Sequence, residues 1–169
     1  MTISMYSASV PVFAKMLHNL DVMLGKAEQH AASRGFDVAV LLAARLAPDM
    51  FALTRQVQIA CDAAKFAVAR LSGADAPSFP DQEATVAELQ QRIRKTIEYI
   101  ESVPPAQLDG SEAKPISVPV RGADPLSFEG EAYLKHHAMP NFYFHLTAAY
   151  AILRHNGVSL GKGDFLGRR

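Results

Sequence analysis

Four of the six histidines fall in one stretch near the C-terminus, "HHAMPNFYFHLTAAYAILRHNGV", residues 136 to 158. Imidazoles close together can hold a metal ion or move protons near neutral pH. At about 100° per residue, Leu134, His137, Asn141, His145, Ala148 and Ile152 share one stripe of a helix, so His137, Asn141 and His145 are expected to look inward together. His136 points elsewhere and His155 lies at the helix end. The two inward histidines are eight residues apart, about 12 Å of rise, too far for both to hold one ion at metal–nitrogen bonds of about 2 Å. Between them stands Asn141, a poor zinc ligand. No metal site is therefore expected. Two readings of His145 stay open. It is a hydrogen-bonded core histidine, or a general base or ligand that works without metal. On the second reading Asn141, His137, Gln56 and Tyr143 are the candidates for holding a small molecule beside it. Pro140 removes a helical hydrogen bond and is expected to kink the helix next to these groups.

Elsewhere the chemistry is sparse. His18 lies off the apolar stripe of its helix and is expected in solvent or at an interface. His30 sits near a helix end, where a cation suits the dipole. Cys61 falls on an apolar face and is read as inert packing. Met50, Phe51, Phe142 and Phe144 are read as core. Nothing resembles a phosphate loop, a CxxC pair or a nucleophile elbow.

The elements that must position these residues are mostly helical. Val10, Phe13, Leu17, Leu20, Leu24 and Ala27 predict a helix from about Ser7 to Ser33, stopped by Gly35. A second helical segment begins near Asp37, breaks or kinks at Ala47-Pro48, and continues with Met50, Leu53, Val57, Ala60, Ala64, Val68 and Leu71 on one face. "SGADAPSFP" reads as a loop. Thr85-Val86-Ala87-Glu88 has the form of a capping box and opens a third helix, with Val86, Leu89, Ile93, Ile97 and Ile100 as its stripe and Pro104-Pro105 as its end. Ile116, Val118 and Val120 then alternate. Arg121 to Asp124 can turn and Leu126 and Phe128 return, which predicts a hairpin over 114–129 with Pro119 confining it to an edge. The last helix runs from about Gly130 to Asn156, with Gly157 as its cap. Four helices with one long connection between the third and fourth make an all-α four-helix bundle, a single domain over 1–169.

Composition narrows the function classes. The chain has 169 residues, 49% hydrophobic and 20% charged, which is globular composition. Lys+Arg and Asp+Glu both number 17, so there is no cationic surplus for a nucleic-acid partner. No apolar run reaches membrane-spanning length, and "MTISMYSASVPVF" lacks the features of a signal peptide. With a lone cysteine, a cytoplasmic protein is expected.

Three segments carry a resemblance: "RLAPDMFALTRQVQIACDAAK" (45–65), "PNFYFHLTAAYAILRHNGV" (140–158) and "LGKGDFLG" (160–167). They resemble a bacterial family of unknown function within the DinB/YfiT-like superfamily of four-helix bundles, over nearly the whole chain. The resemblance implies a DinB-like bundle that pairs as a homodimer. Many such proteins are metalloproteins with one histidine on the second helix and an HxxxH on the last. Some are transferases or isomerases that activate a low-molecular-weight thiol. The family's pattern places His145 on the second histidine of the pair and Asn141 on the first. The second helix here has no histidine, because none occurs between His30 and His136. Two of three ligand positions are thus replaced, and the thiol mechanism does not carry over. The resulting expectation is a small-molecule-binding or interaction module, its ligand unknown, with no cofactor predicted. The alternative is an enzyme of the metal- or thiol-dependent kind with a site rebuilt around His145. His18 and His137 are the only residues offered as replacements in space.

Overall fold

The computed structural model describes residues 3–167. Four helices form the bundle: α1 (Met5–Arg34), α3 (Leu53–Ser72), α4 (Val86–Ser102) and α7 (Met139–His155). α3 lies against both α4 and α7, and α1 packs mainly on α4. The predicted stripes are the core: Val10, Phe13, Leu17, Leu20, Leu24 and Ala27 of α1 are buried, as are Val86, Leu89, Ile93, Ile97 and Ile100 of α4. On α3 the small residues Ala60, Cys61, Ala64 and Ala67 are fully buried, which lets its neighbours approach closely.

The caps follow the residues that encode them. The Thr85 side chain accepts from the Glu88 amide at 3.2 Å while Glu88 accepts from the Thr85 amide at 2.9 Å, the reciprocal pattern of a capping box. Gly35 ends α1 at φ 71°, a left-handed backbone that glycine adopts without strain.

Three details of the helices differ from expectation. The second segment is not one kinked helix. It is a short α2 (Ala39–Ala43), then non-helical backbone through residue 52, then α3. Asp37 does accept from the Ala39 amide at 2.9 Å. The missing Pro48 amide and the disfavoured helical conformation before proline stop the helix rather than bend it. Met50 is therefore off the α3 face and only half-buried. Second, Pro104-Pro105 end α4 as expected, but Pro105 then starts a further turn, α5 (Pro105–Leu108), since proline suits the first helical position. Third, a short α8 (Lys162–Leu166) folds back on α1 through a Lys26–Asp164 ion pair and an Asn19 side-chain bond to the Phe165 carbonyl at 3.0 Å.

The hairpin is present: β1 (Pro115–Val120) pairs antiparallel with β2 (Ala123–Glu129). The turn is tighter than expected, because Ala123 and Asp124 already belong to β2. Pro119 sits where the register shifts between Val118 and Val120, a place where its missing donor breaks no ladder bond. α6 (Gly130–Tyr133) follows directly and starts the last helix. Among the described residues no helix is long and apolar enough to cross a membrane.

Of the glycines, Gly130 has the least room, since a Cβ there would run into the Ser111 carbonyl oxygen and press on Leu71. Gly130→Ala is expected to lower stability by about 1–3 kcal/mol, in the range of overpacked sites. A urea titration reads this out, and a change below about 0.5 kcal/mol, the scale of an ordinary surface substitution, would show that the loop yields freely.

Candidate functional site

Between α6 and α7 the last helix widens into a π-helical turn, Leu134–Ala138. The local cause is Pro140. It cannot donate to the carbonyl of His136, and its ring crowds that carbonyl. Widening the preceding turn relieves both problems, so a π turn takes the place of the expected kink. Such turns are uncommon and occur frequently at functional sites. Here the turn presents His137 to a cleft of about 190 Å³ that Asn141, one turn later, also lines. Tyr133 completes that wall, and Asp62, Phe66 and Arg70 of α3 form the other.

The charges in the cleft are unequal. Asp62 is held by Lys65 at 2.8 Å and by Arg92 of α4 at 3.1 Å. Arg70 donates to the Tyr133 hydroxyl at 3.0 Å, and its guanidinium lies 5.1 Å from the Phe66 ring centre. Among the described residues no carboxylate is within ion-pairing distance of it. His137 stacks on Tyr133 at 5.7 Å and lies 5.3 Å from Phe128. Burial, then the Arg70 charge, holds its imidazole below the ordinary range, so it is neutral at pH 7. Burial also pushes the Tyr133 phenol up, against the opposing pull of Arg70.

His145 is deeper, with only 8% of its surface exposed, and it does not line this cleft. Its partner is Gln56 of α3, not Asn141: His145 Nδ1 and Gln56 Oε1 are 2.7 Å apart. The Gln56 Nε2 group donates to the Phe51 carbonyl at 3.1 Å, which turns Oε1 toward the imidazole. His145 Nδ1–H is then the donor, and Nε2 keeps a lone pair with no protein partner among the described residues. Burial, then the Arg55 charge, lowers its pKa.

The three-histidine metal arrangement does not fit these residues. His145 contributes one imidazole, Asn141 is an amide in a different cleft, and the α3 residue that meets His145 is the neutral Gln56, whose oxygen already accepts a hydrogen bond. Nor does His18 substitute. It is exposed on α1 and lines a separate cleft with Asn19, Asp21 and Asp164, away from His137 and His145.

The structure thus brings His137 and Asn141 into one cleft and pairs Gln56 with His145. Tyr143 joins neither group. It is half-buried with its ring 5.5 Å from Phe142, and burial raises its phenol pKa. Of the aromatic residues read as core, Phe142 is fully buried, but Phe51 and Phe144 are 55% and 58% exposed. Phe51 lies in the break before α3, and Phe144 is on the outer face of α7. Cys61 is buried with its thiol pushed up to about 12, chiefly by burial. Sequence reasoning missed Asp62, Phe66, Arg70 and Tyr133. The signal was available, since Asp62, Phe66 and Arg70 recur every four residues beside the apolar stripe of α3.

A larger groove, about 430 Å³, passes Phe79, Glu83, Glu88 and Arg92. Its main charges are already occupied: Glu83 by Arg92 and Gln58, and Glu88 by the α4 cap. The smaller cleft is the better candidate because its unpaired cation, Arg70, is half-buried and held by Tyr133, whereas the unpaired Lys95 of the larger groove is exposed.

Residues 5–166 match the model of a domain of unknown function, DUF1993. The chain belongs to this family. A crystal structure of a DinB family member protein from Shewanella denitrificans is 46% identical to this DUF1993 chain, covering 97% of it and 92% of that protein, with a TM-score of 0.87. No curated protein matches it.

In this DUF1993 bundle, the lowered pKa of His145 makes stability depend on pH. Unfolded, the imidazole takes a proton near its ordinary pKa of 6.5, while folded it stays neutral to lower pH. Its contribution is complete above pH 6.5 and is lost as pH falls from there to the folded pKa. His137 acts in the same direction. Urea midpoints measured from pH 8 to 5 are expected to fall more steeply in the wild type than in His145→Gln. Parallel curves would show that His145 titrates as freely in the folded state as in the unfolded one.

Proposed function

We propose that this DinB-like bundle is a small-molecule-binding module whose ligand occupies the cleft between α3 and the widened turn. The observation that carries the reading is the π turn itself, which sets His137 and Asn141 facing Arg70 across a concave surface. Concave sites with a few convergent polar groups on mostly apolar walls are where small molecules bind. Proton–nitrogen correlation spectra with a set of small polar fragments test it. Shifts are expected to cluster at residues 62–70 and 133–141, and to vanish in Ala63→Phe, which would fill the cleft. Shifts confined to residues 78–95 would move the site to the larger groove.

One observation favours a second reading, an enzyme with a site rebuilt around His145. Gln56 fixes the imidazole tautomer and leaves Nε2 able to accept a proton. On that reading His145→Phe abolishes turnover of any substrate, while on the first it leaves fragment binding in the cleft unchanged.

We also propose that two copies pair through the face around His145. Phe51 and Phe144 are exposed there: the Phe51 carbonyl holds Gln56, and the Phe144 ring lies 5.2 Å from His145. Exposed aromatic surface of this kind is enriched at interfaces. Light scattering is expected to give a dimer mass that falls to the monomer in Phe144→Ser. A monomer in the wild type at high concentration would remove the proposal.

A further inference from the structure

We infer that the cleft takes a small organic monocarboxylate, its carboxylate on Arg70 and Asn141 and its short apolar part against Phe66, Ile59 and Val118. The inference rests on the binding-module reading and adds the class of ligand.

Charge balance comes first. Next to the cleft, Lys65, Arg92 and Arg55 face Asp62, Asp81 and Glu83, three cations to three carboxylates, so that cluster contributes no net charge. Arg70 is left as the uncompensated cation. Its geometry is fixed in advance, because the Tyr133 hydroxyl holds one guanidinium nitrogen and the Phe66 and Tyr133 rings lie 5.1 and 5.9 Å from it. A guanidinium held this way presents its remaining N–H groups as a planar fork, the shape that matches a carboxylate. Asn141 adds an amide that makes no side-chain hydrogen bond of its own among the described residues, and it lines the same cleft.

Size and wall chemistry narrow the class. About 190 Å³ is roughly the room of six water molecules at about 30 Å³ each. That admits a carboxylate with a chain of two to four carbons. Ile59, Ala63, Phe66, Val118 and Ala138 make much of the lining apolar, which suits a hydrocarbon tail and gives nothing to a phosphate's further oxygens. With Asp62 neutralised by Lys65 and Arg92, Arg70 is the one uncompensated charge in the lining, so a monoanion is matched and a dianion leaves one charge unpaired.

The test uses three probes on the whole chain: butyrate, its neutral isostere butyramide, and inorganic phosphate, each titrated while the Tyr133 and His137 resonances are followed. Butyrate is expected to shift both and to bind at least tenfold more tightly than either other probe. Arg70→Gln should reduce butyrate to the level of butyramide and leave butyramide unchanged. Arg70→Lys should recover part of the loss, and a melt of each variant checks that it is folded. The comparison of butyrate with butyramide on the wild type needs no variant at all. If both bind the cleft equally, the carboxylate inference falls while the binding-module reading stands. Phosphate binding more tightly than butyrate also overturns it, in favour of a site for inorganic anions. If no probe shifts Tyr133 or His137, both readings fall together.

Discussion

The side chain of Arg92 is 1% exposed yet carries a full charge, and much of the bundle is arranged around that fact. A buried cation without partners is costly enough to unfold a domain of this size. Three carboxylates meet it: Asp62 from α3, and Asp81 and Glu83 from the loop that joins α3 to α4. The loop is therefore tied across both helices rather than left in solvent. Phe79 of the same loop lies over Lys65 and near Arg92, adding an aromatic face to the cations. Removing one partner from such a cluster costs more than the pair itself contributes, because the others stay buried. The cluster also reaches the candidate site. By drawing the Asp62 carboxylate toward Lys65 and Arg92, it leaves Arg70 to dominate the potential of the cleft.

How far the sequence shows this depends on the kind of interaction. Periodicity and caps are local, and they located all four bundle helices, the capping box at Thr85 and the hairpin with its proline. The break between α2 and α3 was visible as Ala47-Pro48, but its width was not, since nothing local fixes where a helix resumes after proline. Phe51 and Phe144 were misplaced because a large aromatic residue was equated with core, although Phe144 follows the fully buried Phe142 by only two positions. Two residues along a helix is about 200°, the opposite face. The stripe did place His145 inside, but it set His137 and Asn141 inward with it, whereas they are half-buried in a cleft that His145 does not line. The Gln56–His145 bond spans 89 residues of sequence, and the Arg92 cluster joins two helices and a loop. Contacts of that kind follow from tertiary packing and leave little trace in a single chain.

His145 projects from the last helix toward α3. Gln56 meets it with a neutral amide, and a backbone carbonyl orients that amide in turn. Such a chain of hydrogen bonds satisfies a buried imidazole fully at one nitrogen, with no net charge to desolvate. At the neighbouring cleft the Asn141 amide makes no side-chain hydrogen bond among the described residues.

The widened turn at Leu134–Ala138 also bears on how relatives are compared with this chain. A π turn is an α-helix that has accepted one extra residue without unwinding on either side. Relative to an uninterrupted helix, everything from Met139 onward is advanced by one position. Matching this helix to a regular one by uniform spacing would pair unlike faces on one side of the turn. A one-residue gap within 134–138 restores equivalence to both halves wherever positions are transferred to or from a bundle whose last helix is uninterrupted.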